Sequence, residues 1–133
     1  MDISNLEKWH FEMTEKESNA ILSLVLMGNK RATSSSLPGY ADGEPLPTVG
    51  DISVITQWDG TPACVVKTTN VITLPFCEMT FELAKLEGED DTLESWKKSH
   101  AAFWIEEGKK LGYTFSEDMP IVFEEFEILE RLG

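Results

Sequence analysis

The sequence predicts an α+β fold, and three observations carry that reading. An apolar stripe at helical spacing runs through residues 18–27. Two strand-like runs, "ISVITQW" and "ACVVKTTNVITL", flank an Asp59-Gly60 turn. Two further helical stretches then precede a C-terminal segment whose residues alternate in polarity. Antiparallel strands with segregated helices define the α+β class. Closing a small sheet on itself would remove its exposed edges, but hydrophobic periodicity alone does not establish closure.

Each element has its own signals. Residues 6–11, "LEKWHF", read as a short helical lead-in. Thr14 followed by Glu17 has the spacing of a capping box and precedes "SNAILSLVLM". Ile21, Leu24 and Val25 form the stripe, widened by Leu22, Leu26 and Met27, so this helix should be largely buried. Gly28 stops it from the C′ position. "RATSSS", at 31–36, is rich in β-compatible hydroxyl residues. The following 37–51 stretch is a long loop punctuated by Pro38, Gly39, Gly43, Pro45, Pro47 and Gly50. The Asp59-Gly60 hairpin turn is lengthened by Thr61-Pro62. After Pro75, "FCEMTFELAKLEG" reads as one helix ending near Gly88. Asp91 and Glu94 are placed to cap a second helix, which Gly112 closes. "PIVFEEFEILERL", at 120–132, is a strand. With 133 residues, 41% hydrophobic content and no repeat, low-complexity segment or linker, the chain is read as one domain spanning 1–133.

Charge narrows the function classes. Twenty-four acids face eleven Lys and Arg, giving a net charge of −13. Such a surface repels a polyanion, whereas nucleic-acid binders present a basic face to phosphates. Adjacent basic pairs occur only at 30–31, 97–98 and 109–110, enough for a local basic pocket but not for a long nucleic-acid track. No apolar run approaches the ~18 residues that cross a membrane, and the N-terminus lacks a signal-peptide pattern. The expected address is therefore the cytoplasm, with no membrane partner.

The densest chemistry lies in "GNKRATSSS", residues 28–36. Threonine is a weak nucleophile until a base takes its proton, and a lysine of depressed pKa is such a base. In a regular strand positions 30 and 33 point to opposite faces, so shared chemistry requires Lys30 to sit in a turn after Gly28. Spacing alone favours an exposed, basic, hydroxyl-rich loop. The acids Glu87, Glu89, Asp90 and Asp91 fit either a solvated loop, with Asp91 as N-cap, or carboxylate partners for Lys30. His100 falls on the stripe of Leu93, Trp96, Phe103 and Trp104, the pattern of a hydrogen-bonded core histidine. Glu124 shares strand parity with Val122 and Phe126, which fits either an inward acid marking a site or a strand end near solvent. Cys64 and Cys77 read as buried free thiols, and the four tryptophans as packing. No His, Cys or Asp cluster has metal spacing and no Gly-rich phosphate loop occurs, so no cofactor is expected.

The segments "LMGNKRATSS", "GEPLPTVGD", "TTNV", "LEGEDDTLESWKKSH" and "FSEDMPIVFEEFEIL", in this order from about residue 10 to 132, resemble the ASCH domain superfamily. They resemble in particular its bacterial branch of small stand-alone proteins. The resemblance implies a PUA-like fold, a small β-barrel with flanking helices. The family was proposed to bind RNA; some small members are amidohydrolases of N4-acylated cytidine nucleosides, and another is a ribonuclease. In those amidohydrolases a G-x-K-x-x-T motif supplies a lysine and a threonine nucleophile, which correspond to Lys30 and Thr33. A glutamate shortly before a Thr-Leu pair corresponds to Glu89, with Glu87 the other candidate. Arg31 stands where the amidohydrolases often carry threonine, and the loop around Tyr40 is longer than theirs.

The resulting expectation is an amidohydrolase of a small, nucleoside-like amide, with Lys30, Thr33 and Glu89 catalytic. Arg31, Ser34, Ser35, Tyr40, Glu87 and Glu124 are expected around the substrate, with backbone N–H groups or Ser34 and Ser35 offered to an oxyanion. The alternatives are an RNA-binding module using the 30–31 pair and a metal-independent ribonuclease.

Overall fold

A computed structural model describes residues 2–11 and 14–132. In chain order the elements are β1 (Glu7–Trp9), α1 (Glu15–Leu26), β2 (Ala32–Ser36), β3 (Ile52–Thr56), β4 (Pro62–Pro75), α2 (Phe81–Ala84), α3 (Leu93–Leu111) and β5 (Pro120–Arg131). The strands form one mixed sheet in the order β1-β3-β4-β5-β2, with only the β1–β3 pair parallel. The end strands β1 and β2 line one and the same cleft. The sheet is thus a half-barrel whose gap is that cleft.

Helix α1 follows its sequence signals. The Thr14 side chain accepts from the Glu17 N–H, and Ile21, Leu22 and Val25 are buried. Gly28 takes a positive φ of 83°, and the N–H groups of Asn29 and Lys30 both return to the Leu24 carbonyl. That double return satisfies a carbonyl the helix end would leave bare. It also holds Lys30 in a turn, with β2 beginning only at Ala32.

Three expectations are corrected. Residues 6–11 contain a strand, not a helix, because β1 pairs in parallel with β3 from Glu7–Ser53 to Trp9–Ile55. The stretch 76–88 is no single helix: Thr80 is extended, at φ −112° and ψ 159°, and caps a new start by accepting from the Leu83 N–H. A 3₁₀ turn at Phe76–Glu78 precedes that break and another at Lys85–Glu87 follows α2. The cap of α3 is Thr92, whose side chain accepts from the Ser95 N–H, rather than Asp91.

Two apolar clusters fill the two sides of the sheet. Phe11, Ile21, Leu22, Val25, Ile55, Cys64, Val66 and Phe126 join α1 to one side. Ala32, Phe76, Trp96, Trp104, Ile121 and Phe123 join α2 and α3 to the other. Trp96 and Trp104 are 0% and 1% exposed, and truncating either to alanine costs about 3–5 kcal/mol. Cys64 is buried as expected, but Cys77 is exposed. Among the described residues no helix is long and apolar enough to cross a membrane.

Candidate active site

The cleft between the sheet ends has a volume of about 840 Å³. Its floor is built where two turns meet. The 28–31 turn lies against the 86–89 turn, and the Arg31 N–H donates to the Leu86 carbonyl at 2.7 Å. Gly88 makes this approach possible. Its φ is +73°, and a Cβ there would stand 2.3 Å from the Asn29 carbonyl oxygen. Only a residue without a side chain fits so close to a neighbouring backbone. The two residues flanking Gly88, Glu87 and Glu89, are thereby set on either side of Lys30.

Lys30 is 2% exposed. Its Nζ donates to Glu89 Oε2 at 2.7 Å and to the Glu87 carbonyl at 3.3 Å, and lies 3.7 Å from Glu87 Oε1. Phe11 covers it, with the ring centroid 5.7 Å from Nζ. Glu87 is 1% exposed and saturated with donors. Its Oε2 accepts from Trp96 Nε1 at 2.9 Å and from Ser34 Oγ at 2.7 Å, and its Oε1 lies 3.3 Å from His100 Nε2. Burial pushes the Glu87 carboxyl up, but the His100 hydrogen bond, the Lys30 charge and Ser34 outweigh it and hold the group below its ordinary value.

The other wall belongs to the opposite face of β2. Thr33 lies in register with Glu124 and Ser35 with Val122. Glu124 Oε2 accepts from Thr68 Oγ1 at 2.6 Å. Burial raises the Glu124 pKa, Thr68 opposes it, and the charges of Asp51 and Glu7 raise it further. Ser35 Oγ and the Tyr40 hydroxyl are 2.8 Å apart, which ties the start of the long 37–51 loop to the strand. Burial raises the Tyr40 phenol as well. Lower in the cleft, Ser36 Oγ and the Tyr113 hydroxyl both donate to Glu107 Oε1, at 2.5 and 2.6 Å, bracing β2 against α3.

Lys30, Thr33, Ser34, Ser35, Tyr40, Glu87, Glu89 and Glu124 therefore all line one cleft. The exception is Arg31, which is exposed and lines a separate cleft of about 240 Å³ between α1 and β5. Its neighbour Lys30 is buried between the two clefts and lines both, whereas Arg31 lines only the smaller one. Ser34 also departs from its expected part, since its hydroxyl proton is already donated to Glu87. Main-chain donors are better placed. The Phe126 N–H bonds the Arg31 carbonyl, so ladder alternation gives Thr33 and Ser35 the main-chain bonds to β5. The N–H groups of Ala32, Ser34 and Ser36 then point off the free edge of β2.

Sequence reading missed two participants. His100 is indeed packed on the core, with its ring 4.1 Å from that of Trp96, yet it also lines the cleft. Nothing in the α3 stripe distinguishes those two environments. Gly88 was legible as a helix stop, but not as the contact point that brings two carboxylates to Lys30. Among the described residues no group of three or more His, Cys, Asp and Glu is arranged to hold a metal ion.

The model of the ASCH domain family matches residues 7–130 of the chain. An ASCH domain from Lactobacillus crispatus JV V101 is 35% identical, with a TM-score of 0.85 over 92% of this chain and 79% of that one. Protein EF3133 from Enterococcus faecalis V583 is 31% identical, with a TM-score of 0.89 over 98% of this chain and 80% of that one. Hypothetical protein PH0355, at 20% identity and a TM-score of 0.57 over 92% and 99%, shares the fold. No curated protein matches the chain.

Proposed function

The chain belongs to the ASCH domain family, and from that premise we propose that it is a small amidohydrolase of N-acylated nucleosides or similar amides. One observation supports this most: a buried Lys30, with Nζ 2.7 Å from the Glu89 carboxylate, on the floor of a cleft that Thr33 also lines.

The chemistry follows from that contact. Lys30 passes its surplus proton to Glu89 and becomes a free amine. Thr33 Oγ1 attacks the amide carbon while its proton moves to Lys30. The oxyanion is met by the Ser34 N–H at the free edge of β2. As the C–N bond breaks, Glu89 gives its proton to the departing nitrogen, leaving an acyl ester on Thr33 and Lys30 as ammonium. After a second transfer to Glu89, the same lysine deprotonates a water that attacks the ester; as the C–O bond breaks, Glu89 returns its proton to Thr33 and the free acid departs.

The cleft's charge supports an unphosphorylated substrate over RNA. Among the described residues lining it, seven carry carboxyl groups and one, Lys30, carries an ammonium. A polyanion meets repulsion there, whereas a neutral nucleoside does not.

The test is cytidine release from N4-acetylcytidine. Turnover is expected, falling about 100-fold or more in Thr33→Ala. Undiminished turnover in that variant, or none in the unmodified protein, would remove this reading. RNA cleavage that persists in chelator and is lost in Lys30→Ala would favour a ribonuclease instead. RNA retention that weakens steeply with salt would favour a binding module.

A further inference from the structure

His100 pairs with Glu87, one of the two carboxylates beside Lys30. His100 Nδ1 lies 2.8 Å from the Trp96 carbonyl, and Nε2 lies 3.3 Å from Glu87 Oε1. A carbonyl oxygen only accepts, so Nδ1 carries a hydrogen. An ionised carboxylate also only accepts, so Nε2 carries one too, and the ring is an imidazolium. Its orientation is fixed by stacking on Trp96, at 4.1 Å and 18°, with Trp104 tilted against it at 5.4 Å. An indole face favours a cation.

We propose that His100 is a positioning residue: as an imidazolium it keeps Glu87 ionised and shared between two cations, so that Glu89 alone exchanges protons with Lys30 and the leaving amine. The proposal rests on the amidohydrolase reading for its catalytic consequence, but not for the pair itself. Two further features support it. Glu87 lines the cleft but is 1% exposed, and both its oxygens already accept from protein donors. Glu89 has a side chain 27% exposed and is held at the cleft by Lys30.

The charged groups facing His100 are Glu87 from the 85–87 turn, Glu89 just after it, and Lys30 across Glu87. Burial pushes the ring's pKa down, but the hydrogen bond and charge of Glu87 outweigh that, and the net direction is up from 6.5. A raised histidine keeps its proton below its folded-state pKa and loses it as pH rises through that value. Once neutral, Nε2 turns a lone pair toward Glu87, which is left with Lys30 as its cation. That strengthens the hold on the ammonium and opposes the free amine that catalysis needs. The result is an alkaline limb on kcat, above the ordinary histidine range.

Two measurements test this. Nitrogen NMR of the His100 ring in the intact protein should show both nitrogens protonated at neutral pH, with a midpoint that moves down in Glu87→Gln. A neutral ring, or a midpoint unmoved by Glu87→Gln, overturns the pair. With N4-acetylcytidine as substrate, His100→Gln, whose amide donates to Glu87 without titrating, should keep kcat within about tenfold and lose the alkaline limb. His100→Phe stacks but cannot donate, and should lower kcat about 100-fold with KM little changed. An unchanged alkaline limb in His100→Gln overturns the positioning role. The ring titration needs no turnover, so absent hydrolysis bears on the amidohydrolase reading while the NMR result still decides the pair.

Discussion

Two carboxylates stand on opposite sides of β2, and they differ in a way that burial does not explain. Glu87 is the more deeply buried, yet its pKa is lowered; Glu124 is less buried, yet its pKa is raised. The difference lies in their partners. Glu87 faces Lys30, His100, Trp96 and Ser34, all of them donors and two of them cations. Glu124 has the Thr68 hydroxyl and, at longer range, the negative charges of Asp51 and Glu7. Desolvation disfavours both anions, and only the Glu87 side supplies enough compensation to reverse it. The cleft therefore has one wall of fixed, balanced charge and one whose acid protonates readily.

The comparison breaks most visibly at Glu87. Glu87→Gln removes the anion from between the buried Lys30 and the partly buried His100, and should destabilise the protein at neutral pH by about 3–5 kcal/mol in urea titrations. A carboxyl with a lowered folded pKa contributes stability above its unfolded value, and that contribution is lost as pH falls through the folded one. The gap between Glu87→Gln and the unmodified protein should therefore shrink on acidification.

Gly88→Ala comes next. Its Cβ would meet the Asn29 carbonyl at 2.3 Å in a residue already at positive φ, so the two turns must separate. A loss of about 1–3 kcal/mol is expected. Amide turnover should fall with it, because Glu87 and Glu89 move away from Lys30 together. A Gly88→Ala variant of normal stability and activity would show that this contact does not build the site.

Glu124→Gln gives the smallest effect and the opposite sign. A raised folded pKa contributes stability below the unfolded value and loses it as pH rises through the folded one. The neutral amide should therefore stabilise the protein by up to about 1 kcal/mol at neutral pH, with no gain in acid. If Glu124→Gln instead behaves as Glu87→Gln does, the two walls are not electrically distinct.

How far these features were legible follows from their range in the chain. The Thr14–Glu17 cap, the stop at Gly28 and the Asp59-Gly60 hairpin are local, and the sequence carries them openly. The strand β1 was not, since six residues of "LEKWHF" fit either period and its pairing with β3 is decided some 45 residues away. The break at Thr80 is of the same kind: the preceding turn is tied to residues 117 and 119 through the N–H groups of Cys77 and Phe76. At the site, the motif of Lys30 and Thr33 and the acids around Gly88 were readable through family resemblance. Spacing alone left them as polar loops. His100 was readable as a core residue, while its exposed edge depends on how α3 is rotated against the cleft. Arg31 looked like part of the site from sequence adjacency, and the turn that buries Lys30 sends it to the other side.

The central claim is that Thr33, served by Lys30, carries the acyl group. Its most direct test is rapid quenching of the protein during N4-acetylcytidine turnover, followed by peptide mass spectrometry. The account predicts an acetyl ester on Thr33 that accumulates before cytidine release reaches steady state and is absent from Lys30→Ala. An ester on Ser34 instead, or turnover with no acyl-enzyme and full activity in Thr33→Ala, would contradict it.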